Sequence, residues 1–214
     1  MDQKTLEDLV RKYPCFVLPE DDEGRTAITC PVQLQFVWLE KMRTNKDDPN
    51  AKPRYTLAGI IPSFADTSAL DQIAQKAWVN GPHVSKRGKP KSKPLKPQSQ
   101  NAEKYEGFGN DGVYFDAATI NAVEIYDANM QKVPADQVKP GHYARIKIRA
   151  YSFDKNGNWG VSFGLQSLQL VDTSEVFAVS NSGRASDGFE AMNAPKGNGP
   201  AQMPAQSNGA STFW

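Results

Sequence analysis

The stretch YARIKIRAYSFDKNGNWGVSFGLQSLQLV, residues 143–171, carries the pattern that decides the fold. From Tyr143 to Phe153, one set of alternate positions holds Tyr143, Arg145, Lys147, Arg149, Tyr151 and Phe153, and the other holds Ala144, Ile146, Ile148, Ala150 and Ser152. Successive side chains of a strand point to opposite faces, so the small and aliphatic set marks the face turned to a core. A second β-rich run, Trp159 to Val171, follows Asp154-Lys155-Asn156-Gly157-Asn158. Asn-Gly between two such runs is the strongest short-range hairpin signal, because both turn residues must accept positive φ.

Working outward, Ala27 to Leu39 also alternates. Ile28, Cys30, Val32, Leu34, Phe36 and Trp38 fall on one face, and Pro31 suggests a bulge or an edge position. Arg54 to Pro62 reads as another strand, and shorter strands are expected at 112–115 and 122–126. Between them, Leu70, Ile73, Ala74, Ala77 and Trp78 recur at helical spacing behind the capping run Asp66-Thr67-Ser68. A short helix over 2–13 precedes all of this and stops at Pro14.

Six strand regions with one inserted helix predict a mainly β chain, built as a small closed barrel of about five strands. The OB-fold is the commonest nucleic-acid-binding member of that class. Residues 1–178 are assigned to this domain, with a flexible basic loop at 81–104, where Pro82, Pro90, Pro94 and Pro97 interrupt regular structure. Residues 179–214, rich in Gly, Pro, Ser and Asn, read as a disordered tail ending in Phe213-Trp214.

The 214 residues carry 25 basic and 24 acidic side chains, a formal net charge of +1. This near-neutrality hides segregation. Residues 25–104 carry 14 basic and 6 acidic groups, and 139–155 carry 5 and 1, whereas 1–24 carry 3 and 7, and 105–138 carry 1 and 6. Localised basic zones set between acidic ones suit a directed electrostatic groove better than a uniformly cationic surface.

The outward set on 143–153 interleaves cations with rings. Single-stranded DNA needs both, because cations follow the phosphates and exposed rings stack on bases at about 1–3 kcal/mol each. Arg145, Lys147 and Arg149 are therefore expected to hold phosphates, and Tyr143, Tyr151 and Phe153 to stack bases. Lys86, Arg87, Lys89, Lys91, Lys93 and Lys96 of the basic loop add affinity by counterion release. Tyr105 is a further stacking candidate, and Trp159 is either a stacking ring or a plug in the barrel.

Other chemistries find little support. Gly107-Phe108-Gly109-Asn110-Asp111-Gly112 matches G-x-G-x-x-G, but a charged loop precedes it and a strand follows, the reverse of the dinucleotide context. His83 and His142 are isolated, and no metal-ligand spacing is evident, so no catalytic residue, metal or cofactor is expected. Cys15 and Cys30 read as reduced, small apolar fillers. No apolar run approaches the roughly 20 residues that a membrane-spanning helix needs, and the acidic start Met1-Asp2-Gln3-Lys4 lacks a secretory pattern, so a cytoplasmic protein is expected.

Three segments carry a family resemblance: Lys52-Pro-Arg-Tyr-Thr-Leu-Ala-Gly-Ile-Ile-Pro62, then Tyr105-Glu106-Gly107 beyond the helix and lysine-rich loop, and Ala150 to Val171. Over about 26–171 the chain resembles a bacteriophage single-stranded DNA-binding protein family with an OB-fold. The resemblance implies a non-enzymatic protein that coats single-stranded DNA during phage replication or recombination in the host cytoplasm; duplex DNA is a weaker candidate partner on phosphate attraction alone. Proteins of this function often end in an acidic tail with a terminal aromatic residue that recruits replication partners. Here only Phe213, Trp214 and the terminal carboxylate match, because residues 180–214 carry two acids and two bases. The alternatives are a replisome interaction module that uses this aromatic terminus, or a metal-dependent nuclease.

Overall fold

The structure, a computed structural model, describes residues 1–44 and 51–177. In chain order it runs through helix α1 (Gln3–Lys12) and strands β1 (Phe16–Val17), β2 (Thr26–Ile28), β3 (Val32–Arg43) and β4 (Arg54–Ile61). Helices α2 (Ser68–Val79) and α3 (Val84–Arg87) come next, then β5 (Leu95–Pro97), β6 (Val113–Thr119), β7 (Glu124–Tyr126), β8 (Tyr143–Lys155) and β9 (Asn158–Asp172).

The long hairpin forms as the alternation requires. β8 and β9 pair antiparallel from Tyr143↔Asp172 to Lys155↔Asn158, and the two residues between them, Asn156 at φ 52° and Gly157 at φ 75°, make the mirror-image turn that suits right-twisted strands. Ala144, Ile146, Ile148 and Ala150 are fully buried, while the alternate Arg145, Lys147 and Arg149 are half-exposed.

Closure follows from the pairings. β3 pairs with β4, β4 with β6, β6 with β9 in parallel, β9 with β8, and β8 back to β3, so five strands complete a ring. This is the five-stranded Greek-key barrel of the OB-fold. The remaining four of the nine described strands decorate it: β1 and β2 extend the β8 edge, β5 adds to β6, and β7 adds to β9. They are short, with two or three residues each; β7 falls within the strand expected at 122–126, whereas β1 and β5 are too short to show a period.

Inside, Phe115 and Phe163 meet edge to face with ring centres 5.7 Å apart, among Leu34, Leu57, Ile61, Ile146 and Ile148. Helix α2 turns Leu70, Ile73, Ala77 and Trp78 onto this core. The start of that helix is held by Asp66, whose carboxylate accepts from the Ser68 amide at 2.8 Å, and the Thr67 side chain makes no capping bond.

Two expectations need correction. The strand expected over Ala27–Leu39 is two strands, β2 and β3, and its alternation breaks at Phe36, which sits at φ 51° where the pairing with β4 shifts register. Beyond that bulge Leu39 faces the core, and Trp38 is 47% exposed rather than buried beside Leu34. The stretch expected as a flexible basic loop, 81–104, holds α3, β5 and a 3₁₀ turn at Gln98–Gln100. Pro97 is accommodated because β5 pairs along one edge only, with β6, and Pro82, Pro90 and Pro94 lie outside the regular elements. The expected tail over 179–214, with Phe213 and Trp214, lies outside the described residues.

Candidate nucleic-acid interface

The outward face of β8 is partly covered by the amino-terminal segment. The Arg145 guanidinium lies 4.9 Å from the ring centre of Tyr13 and 5.9 Å from that of Phe16. Arg149 is ion-paired with Asp21 at 3.2 Å and with Glu23. Tyr143 is 8% exposed, and burial pushes its phenol up to about 12. Of the six residues expected to meet DNA on this strand, these three are engaged within the protein. Lys147, Tyr151 and Phe153 remain half-exposed, opposite Ser167, Ser162 and Gly160 of β9.

The basic stretch and the hairpin tip, distant in sequence, are brought together. The Trp159 ring has the Arg87 guanidinium 4.6 Å from its centre and the Lys91 ammonium at 5.5 Å. Its indole N–H donates to the Lys89 carbonyl at 3.1 Å, and its own carbonyl accepts from the amides of Lys91 and Ser92. Arg87 also grips the hairpin through a two-pronged pair with Asp154 at 2.8 and 3.0 Å. The hydrogen bond from Arg87 holds the Asp154 carboxyl below its ordinary value. Trp78 donates to the Gly88 carbonyl at 2.8 Å, and a side chain on Gly160 would stand 2.1 Å from the Ser92 carbonyl oxygen, so only glycine allows this close approach. The result is an ordered strap with the side chains of Lys86, Lys89, Lys91 and Lys93 exposed. Trp159 itself packs partly on the core, and its ring is held by the two cations of the strap.

A second set of rings lies where β5 meets β6. Lys96 sits 5.6 Å above the Tyr114 ring and is paired with Asp116 at 2.7 Å. Tyr114 meets Phe108 edge to face at 5.1 Å, Phe108 lies 6.0 Å from Phe36, and Phe36 meets Tyr105 edge to face at 4.7 Å. Tyr105 is the exposed member of the group at 43%. Phe108 belongs to the G-x-G-x-x-G segment, which leads into β6 and opens no helix.

Further along β6 and β9 from these clusters, register defines a strip of small outward residues. Thr56 of β4 pairs with Ala118 of β6, which pairs with Gly164 of β9. Trp38 stands opposite Thr56 at one end, and at the other the Tyr151 ring lies 3.9 Å from where a Gly164 side chain would begin. Arg43 lies 6.0 Å from the centre of the Trp38 ring and pairs in register with the exposed Arg54, with exposed Lys41 and Lys52 nearby in sequence. In a barrel of this type, the face of the second and third strands and the loops joining strands one to two and four to five form the usual ligand surface. Here those strands are β4 and β6, and the four-to-five turn is Asn156-Gly157 beside the strap.

Trp38, Arg43 and Arg54, which border this strip, are not among the residues that the sequence pattern singles out for DNA contact. The only signal that could have found them is the density of cations around the β3–β4 connection, at Lys41, Arg43, Lys52 and Arg54. Among the described residues, no three His, Cys, Asp or Glu side chains are grouped to hold a metal ion, and no helix is long and apolar enough to cross a membrane. His142 is buried, and this burial lowers its pKa.

The comparisons with known proteins converge on one group. No curated protein sequence matches the chain. Among solved structures, the single-stranded DNA-binding protein of bacteriophage Enc34, in complex with ssDNA, superposes with a TM-score of 0.61 at 13% identity, over 78% of this chain and 99% of that one. The gp2.5 single-stranded DNA-binding protein of bacteriophage T7 superposes with a TM-score of 0.51 at 13% identity, over 75% and 98%. At such identities the superpositions establish a shared fold. The sequence itself matches, over residues 25–198, the family described as Enterobacter phage Enc34, ssDNA-binding protein. The chain belongs to that bacteriophage family.

Proposed function

We propose that this protein binds single-stranded DNA without sequence preference, along the outer face of β4, β6 and β9, and coats it during phage replication or recombination in the host cell. The observation that carries the reading is the small-residue strip Thr56–Ala118–Gly164, with Trp38 at one end and Tyr151 at the other. A floor without bulky side chains lets a nucleotide backbone lie close, and rings of this kind stack on any base because every base has a π-face. Arg43 and Arg54 at the β3–β4 end, and the exposed Lys86, Lys89, Lys91 and Lys93 of the strap, supply the phosphate contacts, whereas Lys96 is taken up by Asp116. Family membership and the ssDNA complex of the Enc34 protein support the same ligand.

Titration of a fluorescent oligonucleotide at several salt concentrations tests this. Log affinity is expected to fall linearly with log salt, at about 0.7 per phosphate contact for single strands. Duplex DNA added as a competitor is expected to displace the oligonucleotide poorly, because its paired bases are not free to stack on the rings. Absence of binding, or a flat salt dependence, overturns the reading.

A further inference from the structure

Cys15 and Cys30 are 15 positions apart in sequence but adjacent in space. The Cys30 amide donates to the Cys15 sulfur at 3.1 Å, and both cysteines carry free thiols. Cys15 lies in the short link between α1 and β1, and Cys30 lies between β2 and β3. Both line one open cavity of about 480 Å³, whose rim includes Glu7, Arg11, Phe64 and Asp66. A small reagent therefore has a route to the sulfurs.

The same corner holds an unusual cation. Arg145 is half-buried under Tyr13 and Phe16, its Nε is buried without a hydrogen-bond partner, and no carboxylate pairs with it among the described residues. Its charge acts on both sulfurs and favours their ionised form. A buried cation without a carboxylate is ordinarily disfavoured, and a nearby thiolate answers that need.

We propose that Cys15 is a reactive thiolate site that exchanges with small disulfides of the glutathione class, with Cys30 as the resolving thiol. In the first step the Cys15 sulfur attacks one sulfur of the small disulfide, forming a mixed disulfide and releasing one thiolate. In the second the Cys30 sulfur attacks Cys15, its proton passes to the departing thiolate, and an intramolecular Cys15–Cys30 disulfide remains. The two protein thiols are oxidised and the small disulfide is reduced to two thiols. The division of roles follows the local chemistry. The Cys30 side chain, and then its amide, donate to Cys15 and bring that thiol down, while the same bond and burial push Cys30 up. Asp66, and Glu7 on the cavity rim, oppose the thiolate, whereas Arg145, and Arg11 on the rim, favour it.

Iodoacetamide labelling of the full chain over a pH series, read by peptide mass spectrometry, provides the test. Cys15 is expected to react at least about 10-fold faster than Cys30 at neutral pH, with a midpoint below the roughly 8.5 of a free thiol. Arg145→Gln moves that midpoint up and Arg145→Lys keeps it low, with circular dichroism confirming that each variant folds. If Arg145→Gln fails to fold, the wild-type profile decides alone. With oxidised glutathione, Cys30→Ala accumulates the mixed disulfide on Cys15, whereas the wild type goes on to the form lacking two hydrogens. Equal reactivity of the two thiols, faster labelling of Cys30, or a Cys15 midpoint at or above that of a free thiol overturns the proposal.

Discussion

Two basic runs, Arg145-Ile-Lys147-Ile-Arg149 on β8 and the strap from Lys86 to Lys96, look alike in sequence, yet the fold treats them oppositely. On β8 the acidic amino-terminal segment lies against the cations, with Asp21 and Glu23 on Arg149 and the Tyr13 and Phe16 rings on Arg145. On the strap the backbone is tied down while four lysine side chains project outward. Alternation tells which side of a strand a cation leaves from, but it says nothing of what covers that side. A phosphate meeting Arg149 must displace carboxylates, whereas one meeting Lys89 or Lys91 displaces only water and counterions.

The proposal ranks these regions, and mutation can break the ranking. The largest effect is expected from Trp38→Ala, which removes a stacking ring at the end of the small-residue strip. The loss of about 1–3 kcal/mol corresponds to roughly 5- to 150-fold weaker oligonucleotide binding, read by fluorescence titration. Next comes Lys89→Ala with Lys91→Ala, which lowers affinity at all sequences and reduces the salt slope by about 1.4 for two phosphate contacts. Unchanged slope in that double variant would detach the strap from the binding surface. Arg149→Ala is expected to leave affinity within about 2-fold, because its guanidinium is already paired. The half-exposed ion pairs it loses lower stability in urea by at most about 1 kcal/mol. A large affinity loss there would restore the β8 face as a contact surface.

The smallest expected effect is pH-dependent. Asp154 has its carboxyl depressed by the hydrogen bond from Arg87, so the folded form binds its proton more weakly than the unfolded chain does. The contribution of the pair is then fully present above the ordinary carboxylate value of about 3.9, and is lost as pH falls through the depressed one. Urea midpoints of the wild type and Asp154→Asn are expected to differ slightly at neutral pH and to converge in strong acid.

What could be read from the chain was local. The β8–β9 hairpin was legible because Asn156-Gly157 and two-residue alternation act over neighbours, and α2 was legible because its apolar stripe and cap lie within a dozen residues. Trp38 was not, since its side of the strand depends on a positive φ at Phe36, in contact with the rings of Tyr105 and Phe108 some 70 positions away. The order of the strap was hidden for the same reason. Its partners, Trp159, Asp154 and β6, arrive only once the barrel closes.

The approach of Ser92 to Gly160 has a thermodynamic consequence. A lysine-rich loop that is floppy before it meets DNA gives up backbone freedom of about 1–2 kcal/mol per residue on binding. Here that freedom is surrendered during folding, at an anchor that a single methyl group would push apart. Association by the wild type is therefore expected to proceed near the rate set by diffusion and charge, with a small entropic penalty. Gly160→Ala, compared by isothermal calorimetry, is expected to show the same phosphate attraction burdened by a more unfavourable binding entropy.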